Sequence, residues 1–110
     1  MANTFKLKTK ANVGVTTVGI YTAPAATTTV VIGITLSNTS GSGVNVGVAV
    51  SRTSDTKEYI KLLKNAPIPS GSSLEFMSGN KIVLETSDQI NVDSDTNNSV
   101  DAALTIMEIT

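Results

Sequence analysis

Alternation of apolar and polar residues at a period of two is the feature of this sequence that most limits how the chain can fold. In TTTVVIGITLSN, apolar side chains occupy Val30, Ile32, Ile34 and Leu36 at every second position. The stretch GVNVGVAVSRT repeats the pattern with four alternate valines. A period of two puts alternate side chains on opposite faces of a β-strand. Both stretches are therefore predicted to be half-buried strands, and residues 37–43 between them predict a hairpin turn.

Shorter β-rich runs fill most of the remaining chain. The segment KEYIKLLK, residues 57–64, suits either a helix or a strand, and because it is short and runs into prolines we interpret it as a strand. Residues 65–73 are expected to be an extended crossing and then a turn at Gly71, since each proline removes a backbone donor. The other predicted strands cover residues 12–21, 74–77, 81–85, 88–93 and 99–109.

Together these elements predict one all-β domain. Short strands separated by frequent turn signals, with almost no helix, indicate an antiparallel β-sandwich of about eight strands, Greek-key or jelly-roll-like. A length of 110 residues fits a single domain. The apolar phase of the strands gives the expected core: Val30, Ile32, Ile34, Leu36, Val44, Val46, Val48, Ile82, Leu84, Ile90, Val92, Leu104 and Ile106.

The N-terminal residues differ from this pattern. Residues 1–10 carry three lysines, no acid and a single aromatic side chain. We expect residues 1–12 to be an arm that becomes ordered only on a partner, or a disordered tail, and residues 13–110 to be the β-sandwich domain. The expected partner-binding residues are Phe5, Lys6, Lys8 and Lys10.

Charge is distributed unevenly along the rest of the chain. Residues 11–51 carry no charged side chain, whereas residues 82–110 carry six acids and no base. Sheets that face water usually present charged residues, partly to prevent edge-to-edge pairing. The uncharged segment fits either a neutral coat of Ser, Thr and Asn, or cover by another subunit, because charge is depleted at interface cores. The second interpretation predicts a homo-oligomer, most simply a trimer, or a monomer ordered only on a larger lattice.

One stretch, NVDSDTNNSV, has the appearance of a metal site. Asp93, Asp95 and Asn97 match the first ligands of a calcium loop, but Asn98 replaces the required Gly and Leu104 replaces the required acid. A hairpin turn explains the stretch better, and a weak cation site using Asp93 and Asp95 is the alternative. The chain has no His and no Cys, so its Ser and Thr residues lack the usual activating base. We therefore predict no enzyme, no cofactor and no metal.

The composition also argues against two classes of partner. The net charge is −1, and only two Tyr and two Phe could stack on bases, so nucleic acid is not an expected partner. No apolar run approaches the roughly 20 residues of a membrane helix. The N-terminus lacks the apolar stretch of a signal peptide, so we expect a protein made without Sec export.

Three segments resemble a group of small β-rich virion proteins of tailed bacteriophages. They read NAPIPSGSSLEF, KIVLETSDQINVDSD and SVDAALTIMEI, and TTTVVIGITLSNTS upstream fits the same pattern, so the resemblance covers roughly residues 15–110. The resemblance implies a virion component made in the cytoplasm of a bacterial host. The expected role is a capsid decoration (cement) protein that binds between major capsid protein subunits. The alternatives are a tail, neck or fibre component, or a carbohydrate-binding β-sandwich module that recognises a receptor.

Overall fold

The computed structural model describes residues 3–52, 58–75, 77 and 81–110, and these residues contain strands, turns and no helix. The fold is an antiparallel β-sandwich, as the alternation predicts. Its nine strands are β1 (Asn3–Val13), β2 (Val18–Thr22), β3 (Thr28–Asn38), β4 (Val44–Ser51), β5 (Tyr59–Ile68), β6 (Ser73–Glu75), β7 (Ile82–Leu84), β8 (Gln89–Ser94) and β9 (Val100–Ile109).

The strands form two sheets with nested pairing. Sheet A has the order β1-β9-β3, with β6 and β7 both pairing along the far side of β3, and sheet B has the order β2-β8-β4-β5. The first strand therefore pairs with the last, β2 with β8, β3 with β6 and β7, and β4 with β5, always antiparallel. This nesting is the jelly-roll arrangement, in which β6 and β7 together take one strand position.

The predicted hairpin between β3 and β4 is wrong, because the two strands lie in different sheets. Residues 39–43 cross from one sheet to the other. The buried side chain of Asn38 directs this crossing: its Nδ2 donates to the carbonyls of Ser42 and Ile68, both at 2.9 Å. Its Oδ1 accepts from the backbone N–H of Ser40 at 2.9 Å. Each strand buries its apolar face whether the two strands pair in one sheet or lie in opposite sheets. Alternation alone therefore could not distinguish a hairpin from a crossing.

Most of the predicted core is confirmed, with two errors on β3. Val30 and Ile32 are only half-buried, whereas Val31 is completely buried. The cause is a β-bulge between Val31 and Gly33, which adds one residue and reverses the inward phase. After the bulge the inward-facing residues are the ones predicted, since Ile34 is completely buried. Ile82 is half-buried and packs against the edge of the core, and the other ten predicted core residues are buried.

The proline-rich segment is more regular than expected. Strand β5 continues through Pro67, which lies opposite Asn45, and ends at Ile68. This is possible because β5 is an edge strand, where a missing N–H need not break a ladder. Asn65 has φ 54° and the pairing with β4 shifts nearby, so the strand is irregular where it meets the prolines. The predicted turn at Gly71 is confirmed, with φ 74°.

The predicted strand at 57–64 is confirmed from Tyr59 onward, and Lys57 lies outside the described residues. The prediction of a strand at 74–77 is confirmed for Leu74 and Glu75, whereas Phe76 is not among the described residues. The segment expected to be an arm forms β1, paired in register with β9 from Asn3 to Lys10. That residues 1–12 can act as a separate arm stays a prediction.

The bulge in β3 can be tested with two isoleucines that are close in sequence. Ile34→Ala should lower the free energy of unfolding by about 2–5 kcal/mol, because it opens a cavity in the core. Ile32→Ala should cost about 1 kcal/mol, because that side chain is half-buried and outside the core. Urea unfolding of both variants measures the difference. Equal losses of unfolding free energy in the two variants would show that Ile32 and Ile34 face the core alike, and that β3 has no bulge between them.

Candidate interaction surface

An apolar row crosses the outer face of sheet A. Four residues lie side by side in register on four neighbouring strands: Phe5 on β1, Met107 on β9, Val30 on β3 and Val83 on β7. Phe5 is 69% exposed and Val83 is 58% exposed, and the two between them are half-buried. Each lies next in sequence to an inward residue, so strand alternation places the row on the solvent side.

The row widens into a band because apolar side chains flank it on both sides. Leu7, 65% exposed, follows Phe5 along the outer side of β1, and Ile109, half-buried, follows Met107 on β9. We call Phe5, Leu7, Val30, Val83, Met107 and Ile109 the outer apolar band. Large apolar side chains scattered singly on a surface are ordinary, whereas contiguous ones indicate binding to another molecule.

The other end of the same face is polar. Asp101 lies opposite Ser37, and Glu75 lies opposite Thr35 and accepts a hydrogen bond from its hydroxyl at 3.1 Å. Between them a shallow depression of about 260 Å³ is lined by small side chains, including Ala103. The outer face of sheet A therefore combines an apolar half with an acidic half.

The four residues predicted to bind a partner lie on one strand but not on one face. Phe5 belongs to the outer apolar band. Lys6, Lys8 and Lys10 pair in register with Ile106, Leu104 and Ala102, all inward residues of β9, so the lysines line the open edge of the sandwich. That these four residues bind a partner stays a prediction.

Lys6 begins a chain of polar contacts that enters the core. Its Nζ lies 2.8 Å from Oε1 of Glu108, whose side chain is 9% exposed. The hydroxyl of Tyr21 donates to Oε2 of Glu108 at 2.6 Å and lies 2.7 Å from Oγ1 of Thr29. A buried carboxylate is tolerated when a cation and hydrogen bonds satisfy it. The cluster therefore connects β1 and β9 of sheet A to β2 of sheet B.

This environment changes the acidity of two groups. The hydrogen bond from Lys6, followed by that from Tyr21, holds the pKa of Glu108 below its ordinary value of 4.5, although burial acts the other way. Burial raises the pKa of Tyr21 to about 12, and its hydrogen bond to Glu108 acts in the same direction. Neither group faces a cleft with a nucleophile, so the cluster fits a structural role.

A second ionic cluster lies at the same end of the sandwich, where the backbone N–H of Ala23 donates to the carbonyl of Asp88 at 2.9 Å. Arg52, just after β4, has its Nε 2.8 Å from Oδ2 of Asp88 and its Nη2 2.6 Å from Oε1 of Glu85. The Asp88 side chain is completely buried and also accepts from the backbone N–H of Glu85 at 3.0 Å. These contacts join the end of β4 to the turn between β7 and β8.

The acidic stretch that resembled a calcium loop forms the connection between β8 and β9. These strands lie in different sheets, so the connection is a turn, as predicted, but not a hairpin turn. Asp93 accepts from the hydroxyl of Thr17 at 3.1 Å, and Asp95 accepts from the backbone N–H of Asn45 at 3.1 Å. Within the described ranges, no group of three or more His, Cys, Asp or Glu side chains could hold a metal ion.

Sequence reasoning missed Glu108, Tyr21 and Val83. A signal for Glu108 was present, because it continues the inward phase of Leu104 and Ile106, and an acid at an inward position needs a partner. Val83 could not be assigned to the outer row without knowing that β7 pairs with β3. Among the described residues, no helix has the length and hydropathy to cross a membrane.

Three solved structures are similar to this chain in fold. A chain from Bacillus endospore appendages, which form a novel family of disulfide-linked pili, gives a TM-score of 0.58 at 13% identity and covers 99% of this chain and 87% of its own. A chain from infectious bursal disease virus strain Gx gives 0.54 at 13% identity and covers 97% of this chain. A chain from the T13 particle of the same virus gives 0.55, also at 13% identity, and covers 96%.

These likenesses show the class of fold, a jelly-roll sandwich that occurs in a pilus and in virus particles. The present chain spans 29% and 30% of the length of the two viral chains. It has no cysteine, so it cannot form the disulfide links named for the pili. No family model matches the sequence, and no curated protein matches it.

The cluster around Glu108 predicts a loss of stability in acid. The pKa of Glu108 is lower in the folded chain than its value of about 4.5 in the unfolded chain, so the ionised carboxylate stabilises the fold above that pH. This stability is lost as the pH falls through the lower folded pKa.

Urea unfolding at pH 7 and at pH 3 gives the free energy of unfolding that is lost in acid. This loss should be smaller for Glu108→Gln and for Lys6→Met than for the natural chain. Lys10→Met, which removes a lysine not bonded to Glu108, is the control. An unchanged loss in Glu108→Gln would contradict the assignment.

If the acidic stretch is a turn and not a cation site, removing divalent cations with a chelator should leave the stability of the protein unchanged. Asp93→Ala combined with Asp95→Ala should lower the free energy of unfolding by no more than roughly 1 kcal/mol, the scale of lost turn contacts. Thermal unfolding of the natural chain with and without EDTA should give the same midpoint. A midpoint several degrees lower in EDTA would establish a cation site instead.

Proposed function

We propose that this protein is a non-catalytic structural subunit of a virus particle. More specifically, we propose a capsid decoration (cement) protein of a tailed bacteriophage, which stabilises the head by binding between major capsid protein subunits. The observation that carries the proposal is the outer apolar band. The band lies on a regular sheet, with the lysine-lined edge strand at one end and a three-residue strand at the other.

The shape of this surface favours a protein partner over a small molecule. Ligand pockets are concave and enclosed, whereas the band is spread over the open face of four strands. Protein interfaces combine an apolar centre with polar surroundings, and here Glu75 and Asp101 lie at the other end of the same face. A subunit present in many copies can attach through several such modest surfaces at once.

The fold supports the same proposal. Jelly-roll sandwiches serve in viral capsids as well as in lectins. The similar structures come from a virus particle and from a pilus, both assemblies of many subunits. With no cysteine in the chain, its attachment would involve no disulfide bond.

A tail, neck or fibre subunit would use the same surface, and location in the particle distinguishes these roles. A carbohydrate-binding module is the second candidate, and one observation favours it. The outer face of sheet B carries the half-buried polar residues Gln89 and Asp93, and Tyr59, 48% exposed, lies across Ser51 from Gln89. Sugars stack on aromatic rings, but Lys61 lies 5.6 Å from the centre of this ring and competes for its face.

The proposal predicts that the protein co-purifies with virus particles from the strain that encodes it, in the head fraction. Val83→Ser combined with Met107→Ser should weaken attachment to particles at least about tenfold, because truncating two interface residues removes more than 1.4 kcal/mol. Pelleting of the labelled protein with stripped particles measures the affinity. Neither substituted residue belongs to the N-terminal strand, although Met107 lies opposite Phe5 of that strand.

Tyr59→Ser, on the outer face of sheet B, is the matched control and should leave attachment unchanged. Absence of the protein from purified particles, together with specific binding to a glycan array that Tyr59→Ser abolishes, would replace this proposal with the carbohydrate-binding role.

A further inference from the structure

Strand β1 is attached to the sandwich differently from the other strands. None of residues 3–12 is buried, and Lys8 alone is half-buried. The other edge strands pack more of their length on the core: β2 buries Tyr21, and β5 buries Ile68 and packs Leu62, Leu63 and Ala66 against the core. The apolar side chains of β1, Phe5 and Leu7, point to the outer face. The strand therefore contributes nothing to the hydrophobic core before Val13.

Backbone pairing with β9 and contacts to two of its acidic side chains hold this strand in place, one of them a hydrogen bond from the backbone N–H of Asn12 to Oδ1 of Asp101 at 3.0 Å. Residues Asn3 to Lys10 pair in continuous register with β9, and Lys6 contacts Glu108. Both kinds of contact can be made equally well by an identical strand from another molecule. Exchanging identical elements between copies is a low-cost route to assembly, because the same contacts form again.

A candidate hinge lies between β1 and the rest of the sandwich, at residues 11–12. The register with β9 shifts between Lys10 and Val13, and Asn12 has a left-handed backbone with φ 58°. Just beyond, the chain is fixed: Val13 is 1% exposed, its carbonyl accepts from the N–H of Ser99 at 3.1 Å, and the carbonyl of Gly14 accepts from Ser94 at 2.9 Å. Residues 3–12 can therefore swing about 11–12 while the sandwich stays closed.

Charge determines which surface the strand can join. Residues 1–10 carry three lysines and no acid, whereas residues 82–110, which include β9, carry six acids and no base. Two copies of β1 placed side by side would bring lysines together, and lysines on an edge strand oppose such pairing. The edge of β9 offers Glu108 at the position that meets Lys6.

We propose that residues 3–10 form an exchangeable arm, which pairs with β9 of a second copy of this chain and there joins its Lys6 to the Glu108 of that copy. The eight residues of the arm span about 26 Å when extended. Because they would lie along β9 of the second copy, residues 11–12 must bridge the two molecules, so the two sandwiches pack side by side at this edge. The inference deepens the proposed function by naming one partner as the chain itself, and it is tested on purified protein without particles.

The natural absence of cysteine makes the exchange directly measurable. Thr9 lies opposite Ala103 in register on the outer face, and Thr35 of β3 lies opposite the same Ala103 on its other side. The first comparison uses three single variants: Thr9→Cys, Ala103→Cys and Thr35→Cys. A mixture of two single variants can form a mixed disulfide only between copies. Circular dichroism confirms that each variant is folded.

Thr9→Cys mixed with Ala103→Cys, assembled and gently oxidised, should give a covalent dimer severalfold above the mixture of Thr35→Cys with Ala103→Cys. The mixture of Leu7→Cys with Thr105→Cys, the next pair in register, should behave like the first. Mixed disulfides no more abundant than in the Thr35 control, in both pairs, would overturn the exchange. That result would leave the proposed function intact, because attachment to particles is measured through Val83 and Met107.

Discussion

The sandwich depends on two neighbouring strands that carry no charge and lie in opposite sheets. Strand β3 is central in sheet A, between β9 on one side and β6 and β7 on the other, and β4 is central in sheet B, between β8 and β5. Together with β9 and β8, which are also central, these strands supply most of the buried apolar residues of the core. The buried amide of Asn38 determines that the chain changes sheets between them.

This arrangement gives a physical reason for part of the uncharged segment 11–51. All residues of β4 between Val46 and Val50 are buried, because neighbouring strands cover both of its sides and β5 lies at the edge. A charged side chain there would lack water and a partner. On β3 the explanation is incomplete, since Val30 faces outward and is only half-buried. Cover by another molecule remains the reason we propose for that side.

Much of the fold could be predicted from the sequence, because alternation reports which residues share a face. Alternation could not predict where a bulge exchanges the inward and outward positions, as it does between Val31 and Gly33. The added residue has no sequence pattern of its own. Nor could alternation report which strands pair. The hairpin prediction failed for this reason, and the outer apolar band was missed because Phe5, Val30 and Val83 come from distant parts of the chain.

The two sides of β1 connect stability with assembly. Its lysine side satisfies Glu108 at the edge of the core, while its apolar side begins the outer apolar band. The most direct test of the account is hydroxyl-radical footprinting of the free protein and of intact particles, read by mass spectrometry. The account predicts that Phe5 and Met107 are protected in particles while Tyr59, on the outer face of sheet B, stays reactive. Protection of Tyr59 with Phe5 and Met107 as reactive as in the free protein would contradict it.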